Sequence, residues 1–430
     1  MLGLGGWSSG LGIALRADPL AASLLLMNAG VAFVAGLYAK AYFADARVKA
    51  SFWPLWLMLI AALHALLLSG DLFNMYITLE LLGLSAVALT ALGARRAAIE
   101  AALRYLMFGL IGSMLFLAGV VILYAAYGTL DLPTLAQRLQ PQPAAWTALL
   151  LMTAGLLIKA ALFPLHFWLP AAHANAPAPV SAALSALVVK AAFYLLLRLW
   201  FDLFAVALIP AFGMVLGVLG GLAVLWGSWH ALHAQRLKLL AAYSTVAQLG
   251  YLFLFLPLLL AVPAGVEREL LFGALVLYAV THGFAKGALF LGVGVIQQHA
   301  GHDRIEQLGG TARALPLTTF ALALSGIALI GLPPSGTFLA KWQLIAAAIQ
   351  TGQWPWVLVV ATGSLLAAAY MFRILGHAFG PVERVGSVRS GGRDELPAML
   401  LALIATLFFG LGAAQLWAYL GAGPAGLGYA

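Results

Sequence analysis

The chain has 430 residues, of which 64% are hydrophobic and only 8% are Asp, Glu, Lys or Arg. Soluble domains contain about 45–50% apolar residues, so this composition excludes a water-soluble fold of this size. The apolar runs reach about 20 residues, which indicates membrane-spanning helices and excludes the short alternating segments of a β-barrel. Cysteine is absent, and this excludes thiolate-held iron–sulfur clusters and disulfides.

The hydropathy pattern predicts an all-α, polytopic membrane protein with about twelve transmembrane helices. The opening residues, MLGLGGWSSG, lack the basic n-region of a signal peptide, so we expect the hydrophobic helices themselves to direct insertion. Short loops that carry Gly, Pro and polar residues separate the helices. The predicted spans are 20–43, 52–70, 72–92, 102–127, 145–163, 177–201, 207–228, 238–261, 270–298, 315–349, 354–376 and 396–420.

The basic residues between these spans predict their orientation. Fourteen of the 22 Lys and Arg residues lie in one set of loops and four in the opposite set. The positive-inside rule places the richer set in the cytoplasm and both termini on the non-cytoplasmic side of the cell (inner) membrane. The fourteen are Lys40, Arg47, Lys49, Arg95, Arg96, Arg104, Arg236, Lys238, Arg304, Arg313, Arg373, Arg384, Arg389 and Arg393, and the four are Arg16, Arg138, Arg198 and Arg268.

Two of the predicted spans are interrupted by proline. The fifth runs into FPLHFWLP (163–170), and the tenth breaks at GLPPSGTF (331–338). Such breaks are tolerated in membranes only inside protein or beside a hydrated cavity. The broken helix is the fourth of five in each of two successive sets, and the sets start on opposite sides, which predicts an inverted repeat. We expect an N-terminal region with the first helix at 1–51, half-channel repeats at 52–204 and 207–378, and a cytoplasmic loop with the last helix at 379–430. The alternative is that these prolines mark no repeat, because proline is simply frequent in membrane helices.

Ionisable residues in the middle of apolar runs are the candidate functional site: Glu80, Lys159, Lys190, Lys286 and Lys341. A charge at the bilayer centre costs roughly 2.5–3.5 kcal/mol on insertion scales, so it marks a functional path by default. We predict that Glu80 holds Lys159 protonated, and that neutralising or moving Glu80 releases a proton to the other lysines through bound water. His282 lies four residues before Lys286 on one helix face and is a candidate relay, because imidazole titrates near physiological pH. The alternative is that each lysine snorkels or forms a static ion pair.

Other polar residues give weaker signals. His166 and His173 flank the cytoplasmic end of the broken fifth span, where they either line an entrance or are merely hydrated. Arg236 and Lys238 open span 8, and we interpret them as positive-inside anchors. His64 is expected to pack between helices.

Several long segments, in order along the chain, resemble one superfamily. They are SGDLFNMYITLELLGLSAVALTALG (69–93), LLIKAALFPLHFWLPAAHANAPAPVSAALSALVVKAAFYLLLR (156–198), RLKLLAAYSTVAQLGY (236–251), THGFAKGALFLGVGVI (281–296) and SGIALIGLPPSGTFLAKW (325–342). They look like the antiporter-like, proton-translocating subunits shared by respiratory complex I, membrane-bound hydrogenases and Mrp-type cation/proton antiporters.

The resemblance implies two half-channels joined by a polar axis along the membrane centre. In that scheme Glu80 is the coupling glutamate, Lys159 the broken-helix lysine and Lys190 the linking lysine. His282, Lys286 and Lys341 match the second half-channel. The sequence departs from the family pattern in two ways. We expect the first two of the family's roughly fourteen helices to be missing, and we expect no long lateral helix of the kind that one complex I subunit carries after its core. The sequence of residues 71–93 and 156–198 most resembles that of the Mrp D-type and the complex I N-type subunits.

We therefore predict a proton-translocating subunit of a multi-subunit complex, coupled to a redox reaction such as NADH:quinone oxidoreduction in other subunits. No active site, cofactor or metal site of its own is expected. The expected partners are other membrane subunits, the lipid bilayer and H⁺, with no nucleic acid. One alternative is a subunit of an Mrp-type antiporter that exchanges Na⁺ or K⁺ for H⁺. The others are a membrane module that energises an attached soluble enzyme, such as inorganic-carbon capture, and a scaffold with an inactive channel.

Overall fold

The computed structural model describes residues 2–3, 12–381 and 388–421. Within them, ten helices are long and apolar enough to cross a membrane, and the shorter apolar helices Pro143–Lys159 and Pro316–Ile330 supply the two remaining predicted spans. The prediction of an all-α polytopic membrane protein is therefore confirmed. Most of the opening decapeptide, and Arg384 of the basic loops, lie outside the described residues. The only strands in the described part are β1 (Leu2–Gly3) and β2 (Ala14–Leu15), which pair antiparallel.

The helices of the first half follow the predicted spans closely. They are α1 Pro19–Tyr42, α2 Ala46–Leu68, α3 Leu72–Ala91, α4 Arg96–Tyr127, α5 Leu132–Arg138, α6 Pro143–Lys159, α7 Trp168–Asn175, α8 Ala178–Ala183 and α9 Val189–Leu197. A π-helical turn at Leu184–Val188 joins α8 to α9, so that Ala178–Leu203 is one continuous helix.

The second half is also mainly helical in its described residues. It comprises α10 Pro210–His233, α11 Leu237–Ala261, α12 Val266–Ala300, α13 Thr311–Ala314, α14 Pro316–Ile330, α15 Gly336–Gln350, α16 Pro355–Phe379, α17 Leu396–Leu403, α18 Phe409–Leu411 and α19 Ala413–Gly421. A π-helical turn, Ile404–Phe408, connects α17 to α18, and another, Arg198–Leu203, follows α9 in the first half.

Local sequence signals define many of the helix ends. The carboxylates of Asp18 and Asp71 accept backbone N–H groups at the starts of α1 and α3, as expected of N-caps. Gly128 and Gly331 end α4 and α14 with φ of +69° and +83°, a left-handed conformation that glycine adopts without steric cost.

The first break begins earlier than predicted, at Lys159 rather than at residue 163. Pro164 has no amide hydrogen, so the Ala160 carbonyl loses its helical donor. The helical pairing is also lost at Leu162, whose amide donates to the Leu157 carbonyl and not to the Ile158 carbonyl that an α-helix would use. The Trp168 indole donates to the Ile158 carbonyl at 2.9 Å, which ties α7 back to the end of α6.

The second break follows from two adjacent prolines. In a continuous helix the carbonyls of Leu329 and Ile330 would accept from residues 333 and 334, and both of these are proline. The chain instead turns at Gly331, and Ser335 caps the restart of α15 through the amide of Phe338 at 3.3 Å. The carbonyls of Leu329 and Ile330 therefore have no backbone donor in the helix and can accept hydrogen bonds from side chains inside the bundle.

Burial is concentrated in two central helices. Every residue in the most apolar stretch of Ala178–Leu203 and of α12 is buried, against 33% in α4 and in α16. Helix α12, at 35 residues, packs against α1, α8, α11, α14, α15 and α17. The helices that carry Lys190, His282 and Lys286 thus form the centre of the protein.

The helix ends gather at two opposite faces. Tyr42, Arg95, Asn175, Arg236 and Arg304, from the ends of five different segments, line one cavity. They lie at or beside the basic-rich loops, and we call this side the basic face. On the opposite face, the Arg16 amide donates to the Leu68 carbonyl and the Leu132 amide to the Gly70 carbonyl.

Candidate ion-translocation site

Glu80 and Lys159 lie together, as the sequence predicted. The Lys159 Nζ is 3.6 Å from the Glu80 Oε2, and the two side chains are 8% and 22% exposed. The Ser113 hydroxyl, from α4, donates to the same Glu80 oxygen. Lys159 is the last residue of α6, where the helix dipole favours a positive charge.

Two glycines make room for this pair. A Cβ on Gly112 would lie 2.8 Å from the Gly155 carbonyl oxygen and 3.2 Å from the Lys159 Cγ. Such contacts are tighter than side chains tolerate, so glycine is required for α4 and α6 to approach this closely. The aliphatic stem of Lys159 therefore lies against a bare stretch of α4 backbone.

Lys190 has a backbone partner instead of an acid. Its side chain is 2% exposed, and its Nζ donates to the Ser185 carbonyl at 2.6 Å, inside the π-helical turn. π-helical turns disturb the regular backbone pairing and occur often at functional sites. Among the described residues, neither Lys190 nor Lys286 nor Lys341 forms a salt bridge with a carboxylate.

Ser185 lies between Lys190 and the groups that hold Lys286, because its carbonyl accepts from Lys190 and its hydroxyl contacts Thr245. The Ser185 Oγ lies 2.8 Å from the Thr245 Oγ1, which donates to the Ala241 carbonyl at 3.0 Å. The Lys286 Nζ donates to that same carbonyl at 2.6 Å. It also donates to the Ser244 hydroxyl at 2.7 Å. The hydrogen bonds of the two lysines thus meet through Ser185 and α11, with Ser185 itself as the covalent link between its carbonyl and its hydroxyl.

The second break supplies acceptors to the far end of the site. The freed Ile330 carbonyl accepts from the Lys341 Nζ at 3.0 Å, and the freed Leu329 carbonyl accepts from the Gln248 Nε2 at 2.9 Å. The Tyr278 hydroxyl donates to the Gln248 Oε1 at 2.5 Å. The two prolines therefore expose the groups that position a lysine and a glutamine inside the bundle.

Aromatic rings complete the surroundings of Lys341. Its Nζ lies 4.0 Å from the centroid of the Tyr251 ring, a cation–π contact. It also donates to the Ser364 hydroxyl at 2.9 Å. The Tyr251 and Tyr278 rings are 5.7 Å apart, which links this end of the site to Gln248.

His282 is buried beside these groups without a direct partner. It has no accessible surface, and neither ring nitrogen has a hydrogen-bond partner in the described part of the chain. Its ring centroid is 6.0 Å from that of Tyr278.

The structure leaves one gap and changes one interpretation. No hydrogen bond between described residues joins Lys159 to Lys190. Lys238, which we interpreted as an anchor at the membrane surface, is only 3% exposed, and its Nζ donates to the Ala176 carbonyl at 2.6 Å. It points into the protein because the end of α7 packs against the start of α11.

Several residues of the site were missed at the sequence level. Ser185, Ser244, Thr245 and Gln248 lie inside the quoted segments, but small polar residues are ordinary in membrane helices and carry no signal of their own. The signal that was available is their spacing: Ser244, Gln248 and Tyr251 recur at helical intervals on α11.

Fold and site together define a polytopic membrane protein with a row of buried ionisable side chains. Residues 69–367 match the family described as "NADH:quinone oxidoreductase/Mrp antiporter, TM". The chain belongs to this family.

Relatives of this chain occur in respiratory complexes and in antiporters. The chain is 38% identical to the N-type subunit of the NADH-quinone oxidoreductase of Desulforudis audaxviator, over 94% of this chain and 82% of that protein. It is 29% identical to the D-type subunit of the Na⁺/H⁺ antiporter of Bacillus subtilis, over 96% of this chain and 83% of the relative.

Solved structures show the same likeness. A chain of the archaeal membrane-bound sulfane sulfur reductase superposes with a TM-score of 0.89 at 30% identity, covering 99% of this chain and 85% of its own. A chain of the Mrp complex from Dietzia sp. superposes with a TM-score of 0.88 at 26% identity, covering 99% and 86%.

Proposed function

We propose that this chain is a proton-translocating membrane subunit of a multi-subunit complex, and that a redox reaction in other subunits drives it. The observation that carries the proposal is the pair of buried lysines, Lys190 and Lys286, on the two central helices, whose hydrogen bonds meet through Ser185 and α11. Relatives named as respiratory subunits support the redox coupling.

Proton movement starts at the pair of Glu80 and Lys159. Glu80 stabilises the ammonium form of Lys159, and the half-buried carboxylate is the part of the pair that a neighbouring subunit can reach. When Glu80 is neutralised or moves away, Lys159 releases a proton toward Lys190. Each transfer breaks one N–H bond and forms another, so only a proton moves.

The lysines beyond this pair continue the path. Lys190 passes the proton to Lys286 through Ser185, Thr245 and bound water, and His282 and Lys341 carry it across the second half-channel. Carbonyl and hydroxyl groups hold these lysines, so either protonation state keeps hydrogen-bond partners. This role for the six residues matches the resemblance noted in the sequence.

The orientation and the repeat are parts of the same proposal. We place the chain in the cell (inner) membrane with the basic face toward the cytoplasm and both termini outside, because the basic residues are so unequally distributed. The units 52–204 and 207–378 are inverted half-channels, each with its broken helix fourth in order.

A second candidate function is Na⁺ or K⁺ exchange for H⁺ in an Mrp-type antiporter. The observation in its favour is the superposition on the Mrp complex chain over 99% of this chain. The identity to the respiratory N-type relative is higher, 38% against 29% for the D-type antiporter relative. We therefore rank redox-driven pumping first.

The test is gentle purification from native membranes, with mass spectrometry of the co-purifying subunits. Flavin- or iron–sulfur-binding partners are expected. A set of small hydrophobic partners with Na⁺-dependent proton transport would replace the redox proposal with the antiporter. An attached soluble enzyme without redox centres would indicate the energising module instead.

A further inference from the structure

The segment 388–395, which leads into α17, is fastened to the end of α12 at the basic face. The Arg389 amide donates to the His299 carbonyl at 3.2 Å, and the Arg389 guanidinium donates to the Gln298 carbonyl at 2.7 Å. Helix α17 itself packs against α12. The attachment of this segment therefore affects how the last helices pack on one of the two central helices.

The His299 side chain meets an acceptor of this segment at each ring nitrogen. Its Nδ1 lies 3.0 Å from the Arg389 carbonyl oxygen, and its Nε2 lies 2.6 Å from the Asp394 Oδ2. A carbonyl and a carboxylate accept hydrogen bonds and donate none, so both nitrogens must carry a proton for both bonds to form. A neutral imidazole has a single N–H. The arrangement is therefore that of the charged imidazolium.

The carboxylate that faces this ring is held in position by its own segment. The Gly392 amide donates to the Asp394 Oδ1 at 3.0 Å, which leaves the Oδ2 for His299. The side chains of His299 and Asp394 are 17% and 25% exposed, so solvent screens the pair only in part. When the ring loses a proton, one of its two hydrogen bonds is lost, and a lone pair of nitrogen faces an acceptor oxygen.

The segment has further attachments that do not involve the ring. The Gly391 amide donates to the Ala314 carbonyl of α13 at 3.1 Å, and the Glu395 carboxylate accepts from the Thr318 amide of α14 at 2.7 Å. Loss of the ring proton therefore loosens the end of the segment that lies on α12, while its attachments to α13 and α14 are kept.

The other charged or titratable side chains of the elements packed here are of types that ordinarily ionise outside the range of imidazole. They are Arg389 and Arg393 of the segment, Glu395 at its end, Arg313 of α13, and Tyr38 and Tyr42 of α1. One further histidine, His302, follows the end of α12, and its Nδ1 accepts from the Arg304 amide at 3.3 Å. A histidine with this environment is a natural control for His299.

We propose that His299, Arg389 and Asp394 form a proton-dependent clasp, which fastens the segment before α17 to α12 when the solution at the basic face is acidic and loosens as that solution becomes alkaline. Loosening breaks one N–H bond of the ring and transfers the proton to water. The clasp makes the packing of the last helices responsive to pH on one side of the membrane. This goes beyond the proposed function and does not rest on it.

The sign and the size of the effect follow from the single proton. The fastened form binds one proton more than the loosened form, so acid favours fastening and alkali favours loosening. In the range where the ring titrates, the ratio of the two forms changes by up to about tenfold per pH unit.

The experiment measures how accessible the segment is, in the whole complex, between about pH 5.5 and 8.5, the range in which imidazole titrates. The chain has no cysteine, so Val388→Cys places one thiol at the half-buried start of the segment, where Val388 packs against the core. Ser390→Cys, at an exposed position two residues on, reports the intrinsic effect of pH on a thiol. The ratio of the two labelling rates is expected to rise with pH.

Variants of the clasp show whether His299 causes that rise. His299→Gln keeps an amide donor but cannot titrate, so the ratio is expected to be independent of pH. Asp394→Asn removes the opposite charge, and the rise is expected at lower pH, because a carboxylate favours the charged ring. His302→Gln is the matched control and is expected to leave the rise unchanged.

Hydrogen–deuterium exchange of residues 388–395 repeats the test without a new thiol. Comparison of His299→Gln with the unsubstituted complex at equal pH cancels the intrinsic effect of pH on exchange. Above the titration range the two are expected to exchange alike, and at acidic pH the unsubstituted segment is expected to exchange more slowly.

Two outcomes overturn the proposal. A labelling ratio that stays constant with pH in the presence of His299 shows that the segment does not respond to the proton. An equal rise in His299→Gln shows that another group responds. Neither assay measures proton flux, so both outcomes leave the proposed function to its own test.

Discussion

Replacing Glu80 with glutamine removes a negative charge 3.6 Å from the Lys159 ammonium and leaves the shape of the side chain nearly unchanged. At an effective dielectric constant of about 20, two unit charges at this distance attract each other by about 4.6 kcal/mol. Breaking a buried pair by removing one partner costs about 3–5 kcal/mol, because the other charge stays buried alone. We therefore expect Glu80→Gln to lower the free energy of unfolding by roughly 3 kcal/mol and to abolish coupled proton movement.

The double variant separates the pair from its surroundings. Lys159→Met alone leaves the carboxylate unpaired, whereas Glu80→Gln with Lys159→Met removes both charges. Since the lone charge is the source of the loss, the double variant is expected to be more stable than either single variant.

The assays are thermal unfolding of the purified complex and proton flux in proteoliposomes. Ser113→Ala is the matched control: it removes one hydrogen bond to Glu80 and keeps the ion pair, so a partial effect is expected. Additive stability losses in the double variant, with normal flux in Glu80→Gln, would show that the pair is neither coupled nor part of the path.

Four further substitutions address other parts of the site. Lys341→Met is expected to stop flux through the second half-channel with assembly intact; unchanged flux would remove it from the path. Gln248→Leu leaves the Leu329 carbonyl and the Tyr278 hydroxyl without their hydrogen-bond partner. We expect a loss of about 2 kcal/mol in the free energy of unfolding, with slower proton flux. Gly155→Val forces a Cβ against the Gly112 carbonyl, and a markedly lower melting temperature is expected. On the face opposite the basic face, the Asp202 carboxylate accepts from Arg16 at 2.9 Å and from Arg198 at 3.0 Å, so for Asp202→Asn we expect a loss of roughly 3 kcal/mol in stability with normal flux per assembled complex.

The helices and their breaks could be predicted because their causes are local. Apolar runs define the spans. Pro164, Pro333 and Pro334 each lack a backbone amide hydrogen, so the helix breaks near them follow from the local sequence. Even so, the first break began at Lys159, several residues before the proline. The irregular backbone there depends on the Trp168 indole, a contact that no local pattern reveals.

The contacts between helices could be predicted only where charge made them necessary. Glu80 and Lys159 were expected to meet because a lone charge in the membrane needs a partner. Ser185 and Thr245 are neutral, so nothing in the sequence distinguished them from other hydroxyls. Lys238 was misread because a lysine at a helix start is normally an anchor, and only the packing of α7 against α11 turns it inward.

The two kinds of lysine partner have different energetic consequences for a moving proton. The Glu80 carboxylate makes the loss of a proton from Lys159 unfavourable, because the carboxylate is then left as an uncompensated anion in a poorly solvated place. The carbonyls that hold Lys190, Lys286 and Lys341 are dipoles, so discharge of these lysines leaves neutral groups on both sides. In the proposed path, the pair of Glu80 and Lys159 therefore holds its proton by charge, whereas the three lysines beyond it hold theirs by dipoles alone.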